Sequence, residues 1–266
     1  MKWEEASDME RIKKNFGFGC MRLPMKDGEV DIEETNRMVD AFLDAGFNYF
    51  DTAHGYLDGK SERAIKTCLS SRHPRERYIL TDKLTGNYFK KQEDIRPLFE
   101  SQLAACGVEY FVFYLMHAQD AESFKHFKAC RAYETAFELK AEGKVRHVGM
   151  SFHDRAGVLD QILNEYPQIE VVQIQLNYVD FEDPAVQSRA SDCIKRGSAK
   201  RSAYSTYISG ICCKTLRRNS KRHKRSRTVP DFFYVYAAIV ARNISQTIRR
   251  EVMRSYIFHP SFLSTV

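Results

Sequence analysis

Several things are missing from this sequence, and each absence narrows its reading. No apolar run approaches the roughly 20 residues that a membrane-spanning helix needs, so no span is expected. The opening residues, Met1-Lys2-Trp3-Glu4-Glu5, carry acids in place of an apolar stretch, which argues against a secretory leader. Cysteines number seven, an odd count scattered among apolar neighbours, and no CxxC occurs. That usage argues for reduced thiols in a cytoplasm and against both a disulfide framework and a cysteine-based metal site. No Gly-rich GxGxxG turn follows the first strand-like run, because Gly17-Phe18-Gly19 lies inside it. A doubly wound dinucleotide-binding sheet is therefore disfavoured.

What is present is a chain of 266 residues, 43% hydrophobic and 29% charged, long enough for one large α/β barrel. Its net charge of +6 hides a division. Residues 191–266 hold 16 basic and 3 acidic residues, leaving 25 basic and 32 acidic in residues 1–190. The charge therefore changes from about −7 to about +13, and we divide the chain there into a folded domain (1–190) and a basic C-terminal segment (191–266).

Within the first domain, strand-like and helix-like runs alternate about every 30 residues. Strands are expected at 16–23, 47–53, 78–84, 111–116, 145–151 and 171–177. Helices are expected at 32–45, 61–69 (with Ser61 as N-cap), 92–105, 121–141 and 154–165. Six strands separated by five helices predict parallel pairing with right-handed crossovers. Polar groups recur at the strands' C-terminal ends, which favours a (β/α)8 barrel, incomplete because only six units are legible.

Three of those strand ends carry groups capable of proton chemistry. Asp51 closes the second strand, with Tyr56 five residues on; Lys83 closes the third; His117 follows the fourth. Taken singly, such an Asp is usually a helix cap, such a Lys a surface charge and such a His a core residue. Taken together they form an acid with a tuning relay. A phenol, with a pKa of about 10, is a sluggish acid at neutral pH. An ammonium beside it favours the phenolate, and a carboxylate keeps that ammonium charged. His117 could polarise and orient a carbonyl. None of the four supplies a hydride, so an external nicotinamide is implied.

These residues and their flanks resemble the aldo-keto reductase family over about residues 15–190. The likeness rests on Gly17-Phe18-Gly19-Cys20-Met21-Arg22, Phe50-Asp51-Thr52-Ala53 with Tyr56, Lys83, His117, and Val148-Gly149-Met150-Ser151. More narrowly, Gly59-Lys60-Ser61-Glu62, Ser151-Phe152-His153 and Val172-Gln173-Ile174-Gln175-Leu176-Asn177-Tyr178 look like the branch that often carries a C-terminal ferredoxin-like segment. The resemblance implies a (β/α)8 barrel, NADPH or less often NADH, and reversible reduction of a small aldehyde or ketone. It also implies a cofactor site at Met21, Asp51, Ser151 and Gln173, the last two binding the nicotinamide carboxamide. Asp192-Cys193-Ile194-Lys195-Arg196-Gly197-Ser198 holds one cysteine of a cluster-binding set, so no iron–sulfur cluster is expected.

The basic segment shows no recognisable seventh or eighth strand, and its apolar run at 232–240 has no clear type. The run from Lys214 to Arg225 invites a nucleic-acid reading, yet it lacks an accompanying nucleic-acid fold and reads as a solvated charge run. The abrupt change of text is also what a shifted reading frame or internal deletion produces. An inactive remnant is then the alternative to an enzyme. Oligomeric state is not legible.

Overall fold

The computed structural model describes residues 11–14, 16–175, 203–208 and 237–241, the last two segments as backbone strands. Six parallel strands form its centre: β1 (Gly17–Gly19), β4 (Tyr49–Asp51), β5 (Ile79–Leu84), β6 (Phe111–Gln119), β7 (Val145–Phe152) and β8 (Val171–Gln175). They pair in that order and curl as part of a barrel. Between β1 and β4 lies a hairpin of β2 (Met25–Lys26) and β3 (Glu29–Val30). Its turn is Asp27-Gly28, both at positive φ, as a tight hairpin turn requires.

Helices fill the crossovers: α1 (Ile32–Asp44), α2 (Lys60–Ile65), α3 (Gln92–Cys106), α4 (Ala121–Ala129), α5 (Ala132–Ala141) and α6 (Ala156–Glu165). Asp31 caps α1 by accepting from the Glu34 amide at 3.0 Å, and Thr35, Val39 and Leu43 bury one face of that helix. Two expectations fail here. The helix expected over 121–141 is two helices, because Arg131 adopts a left-handed φ of 53° that interrupts the hydrogen-bond ladder. Ser61 is no N-cap. Its buried hydroxyl is 2.7 Å from that of Thr52 and donates to the Cys20 carbonyl at 2.9 Å, so it ties α2 to the barrel instead.

Alternation along the strands sorts the core into two layers. One parity faces the barrel interior, where Tyr49, Ile79, Phe113, Leu115 and Val171 pack together. The other faces the helices and contributes Phe50, Leu80, Tyr114, Met116, Val148 and Val172 to the larger core. Gly149 stands on the interior parity, and a Cβ there would meet the Val171 carbonyl oxygen at 2.4 Å and Leu115 Cδ2 at 2.7 Å. Only glycine lets β7 approach its neighbours so closely.

Two further strands lie in the segment where the sequence shows none. β9 (Ala203–Ile208) pairs parallel to β8, and β10 (Ala237–Ala241) pairs antiparallel to β9. The reversed β10 departs from a (β/α)8 pattern, and part of the 232–240 run is thereby a strand. The remainder of residues 191–266, including the polybasic run and Cys212-Cys213, lies outside the described residues, as do Asn177 and Tyr178. Among the described residues no helix is long and apolar enough to cross a membrane.

Candidate active site

The parity that buries Tyr49, Ile79 and Phe113 at the strands' beginnings brings polar residues inward at their ends. Asp51 ends β4, Lys83 is the fifth residue of β5, His117 lies near the end of β6, Ser151 near the end of β7, and Gln173 midway along β8. Tyr56 opens a 3-10 turn, Tyr56–Gly59, and its amide donates to the Ala53 carbonyl at 2.9 Å. Leu57, Asp58 and Gly59 all have positive φ, an uncommon conformation for the first two that swings the chain from the strand end into α2.

Lys83 is the hub. Its Nζ donates to Asp51 Oδ1 at 2.5 Å, to the Thr52 carbonyl at 2.8 Å and to the Tyr56 hydroxyl at 3.3 Å. Three acceptors match the three donors of an ammonium. The side chains of Lys83 and Asp51 are 1% and 5% exposed. Burial works against the ammonium, but the Asp51 carboxylate and then Tyr56 outweigh it, and the lysine pKa lies above its ordinary value. The second Asp51 oxygen, Oδ2, accepts from Gln173 Nε2 at 3.1 Å across the barrel.

His117 and Tyr56 meet edge to face, with ring centroids 5.6 Å apart and an interplanar angle of 77°. Burial, Lys83 and His153 push the His117 pKa down to about 3, so its imidazole is neutral at physiological pH. Ser151 accepts at Oγ from the Ala118 amide at 2.7 Å. Met21 lies just beyond β1, 39% exposed. The structure thus brings Asp51, Tyr56, Lys83, His117 and Gln173 into one contiguous set, with Ser151 paired in register to Gln173.

Several neighbours are absent from the sequence reading. Thr85 Oγ1 lies 2.8 Å from His117 Nδ1. It sits two residues after Lys83, so strand alternation alone could have put it at the same mouth. Behind the sheet lies a buried polar group of Glu62, Asp82, Gln102 and Tyr114. Gln102 Nε2 donates to Glu62 at 3.3 Å and to the Lys83 carbonyl at 3.1 Å, and Tyr114 donates to Gln102 at 2.6 Å. Asp82 accepts from the Lys83 amide at 2.7 Å. Burial and the Glu62 carboxyl push the Asp82 pKa well above the ordinary carboxylate range. His54 Nδ1, 3.0 Å from Glu62 Oε2, connects this group to the half-buried rim. His147 does structural work: it stacks on Phe113 at 5.2 Å and bonds Glu170 at 2.9 Å.

Among curated proteins, the chain is 30% identical over 142 residues to an aldo-keto reductase of Mycolicibacterium smegmatis, covering 53% of this chain and 49% of the relative. To the NADH-specific methylglyoxal reductase of Escherichia coli it is 26% identical over 162 residues, covering 53% and 48%. The chain thus spans about half the length of these relatives. Among solved structures, the holo form of a Bacillus halodurans aldo-keto reductase aligns with a TM-score of 0.57 and 24% identity, covering 72% of this chain and 61% of that one. A Klebsiella pneumoniae aldo-keto reductase in complex with NADPH aligns with a TM-score of 0.56 and 19% identity, covering 77% and 66%. At such identities these structures speak to the fold alone. The aldo/keto reductase family model matches residues 15–249, running past the charge boundary at residue 190. With a match over most of its length and a parallel sheet of the corresponding shape, the chain belongs to the aldo/keto reductase family.

Proposed function

We propose that this protein is an oxidoreductase that reduces a small aldehyde or ketone, or oxidises the corresponding alcohol, with a nicotinamide cofactor, NADPH in the first instance. The observation that carries this reading is Lys83 Nζ standing at once 2.5 Å from Asp51 and 3.3 Å from the Tyr56 hydroxyl. Tyr56 gives its proton to the carbonyl oxygen as that oxygen gains charge. The ammonium of Lys83 stabilises the phenolate left behind, and Asp51 keeps the ammonium charged. His117, neutral, orients the carbonyl by a hydrogen bond.

The residues present suit a nicotinamide. Ser151 and Gln173 are register partners on β7 and β8. Among the described residues, the Ser151 hydroxyl hydrogen and Gln173 Oε1 have no hydrogen-bond partner. They offer one donor and one acceptor side by side, the complement of a carboxamide. Asp51 and Tyr56 would border the ring, with Met21 at the edge of the same mouth. The cofactor, when bound, supplies the hydride.

A fluorescence titration with NADPH, and with NADH in parallel, tests binding. Turnover of small aldehydes then tests chemistry. Tyr56→Phe is expected to bind cofactor as the wild type does while losing about 10²–10⁴-fold in kcat, the usual worth of a positioned acid. Turnover undiminished in Tyr56→Phe would overturn the mechanism. Failure of the wild type to bind either cofactor would favour the inactive-remnant reading.

A further inference from the structure

Thr85 follows β5 at the N-cap position of a 3-10 turn, Gly86–Tyr88, with φ −94° and ψ 123°. A threonine there ordinarily turns its hydroxyl onto the backbone amides of the turn it precedes. This one does not: the turn has no side-chain cap, and the hydroxyl lies 2.8 Å from His117 Nδ1. From one short stretch of chain, Lys83 therefore reaches one way to Asp51 and Tyr56, and Thr85 reaches the other way to His117.

A neutral imidazole has one N–H and one lone pair, so the bond to Thr85 can run in two directions. If Nδ1–H donated to Thr85, the threonine hydrogen would be left to solvent at a half-buried position, since its oxygen has no other hydrogen-bond partner among the described residues. If Thr85 donates to the Nδ1 lone pair, both groups are satisfied and the imidazole hydrogen must stand on Nε2. The low basicity of His117, with Lys83 and His153 nearby, removes the doubly protonated form from consideration.

We propose that Thr85 is a positioning residue that fixes His117 as the Nε2–H tautomer, so that the imidazole meets a substrate oxygen as a hydrogen-bond donor. This rests on the reading of His117 as the group that orients the carbonyl. A threonine hydroxyl suits the task because it donates without carrying a charge. A carboxylate in its place would draw the hydrogen to Nδ1 and leave Nε2 an acceptor, which repels a carbonyl oxygen.

The test is the tautomer itself, read by long-range ¹H–¹⁵N correlation on the full chain with ¹⁵N-labelled histidine, His117 being assigned with His117→Gln. The wild type is expected to show His117 protonated at Nε2 alone. Thr85→Val should show an Nδ1–H population, with kcat/KM for a small aldehyde lowered about tenfold, the effect of one weakened hydrogen bond. NADPH affinity should be unchanged, and Thr85→Ser should restore both tautomer and rate. A wild type protonated at Nδ1 overturns the proposal, and this readout needs no variant to fold. A Thr85→Val protein whose His117 stays entirely Nε2–H also overturns it. A wild type with the Nε2–H form but no turnover supports the assignment of Thr85 and defeats the enzymatic reading, so the two failures are distinguishable.

Discussion

Replacing Lys83 by methionine keeps most of the side-chain volume and removes the charge. The structure makes the cost calculable. Lys83 and Asp51 are almost wholly buried, and Lys83 Nζ donates to Asp51 Oδ1 at 2.5 Å. Methionine would leave a buried carboxylate without the ammonium bonded to Oδ1, while the Gln173 amide stays on Oδ2. Breaking a buried pair by removing one partner costs about 3–5 kcal/mol. In a domain of this size, where each kcal/mol shifts Tm by about 2–4 °C, that corresponds to roughly 6–20 °C. Urea unfolding followed by circular dichroism measures the loss. The loss should shrink in acid, where the stranded carboxylate takes a proton, and Asp51→Asn in the same background should recover part of it. A Lys83→Met protein that loses less than about 1 kcal/mol, the worth of an exposed ion pair, would refute the argument that this pair is sealed from water.

Two other perturbations follow from burial. Asp82→Asn should be tolerated, because an amide can still accept from the Lys83 amide and donate toward Glu62, whereas Asp82→Ala should destabilise. The folded-state pKa of Asp82 is raised, so the native protein holds a proton that the unfolded chain releases near pH 4. Its contribution is therefore complete in acid and falls as pH rises toward the folded pKa. Asp82→Asn should accordingly gain stability relative to wild type as pH increases, by urea midpoints between pH 5 and 9. Gly149→Ala places a methyl 2.4 Å from the Val171 carbonyl oxygen and should destabilise by about 1–3 kcal/mol or more; a variant with unchanged midpoint would contradict this close approach.

The site was more legible in the sequence than its surroundings because strand ends are marked twice. An apolar run such as 111–116 announces a buried strand, and the first polar group after it must face the mouth, which places His117 without any knowledge of contacts. Asp51 follows from the same rule, whereas Lys83 needs strand alternation as well, because Thr81 and Asp82 precede it and Asp82 faces the helices. Thr85 escaped because a threonine before Gly86 reads as an ordinary turn residue, and only the direction of its hydroxyl distinguishes it. The break at Arg131 is invisible for a related reason: arginine is a good helix former, and its residue type does not announce the left-handed φ of 53°. Asp27-Gly28 was a legible hairpin signal that the strand–helix pattern obscured. The Glu62–Asp82 group could not be read, since both residues look like exposed acids until the sheet and helices close over them.

The bond from Gln173 to Asp51 joins residues 122 positions apart in the chain. A growing or truncated polypeptide holds Asp51, Tyr56 and Lys83 by its first 83 residues, yet the carboxylate lacks its amide until β8 has been made and folded across. The carboxylate thereby registers whether the sheet has curled, and the last of the six central parallel strands completes the surroundings of a residue on the second.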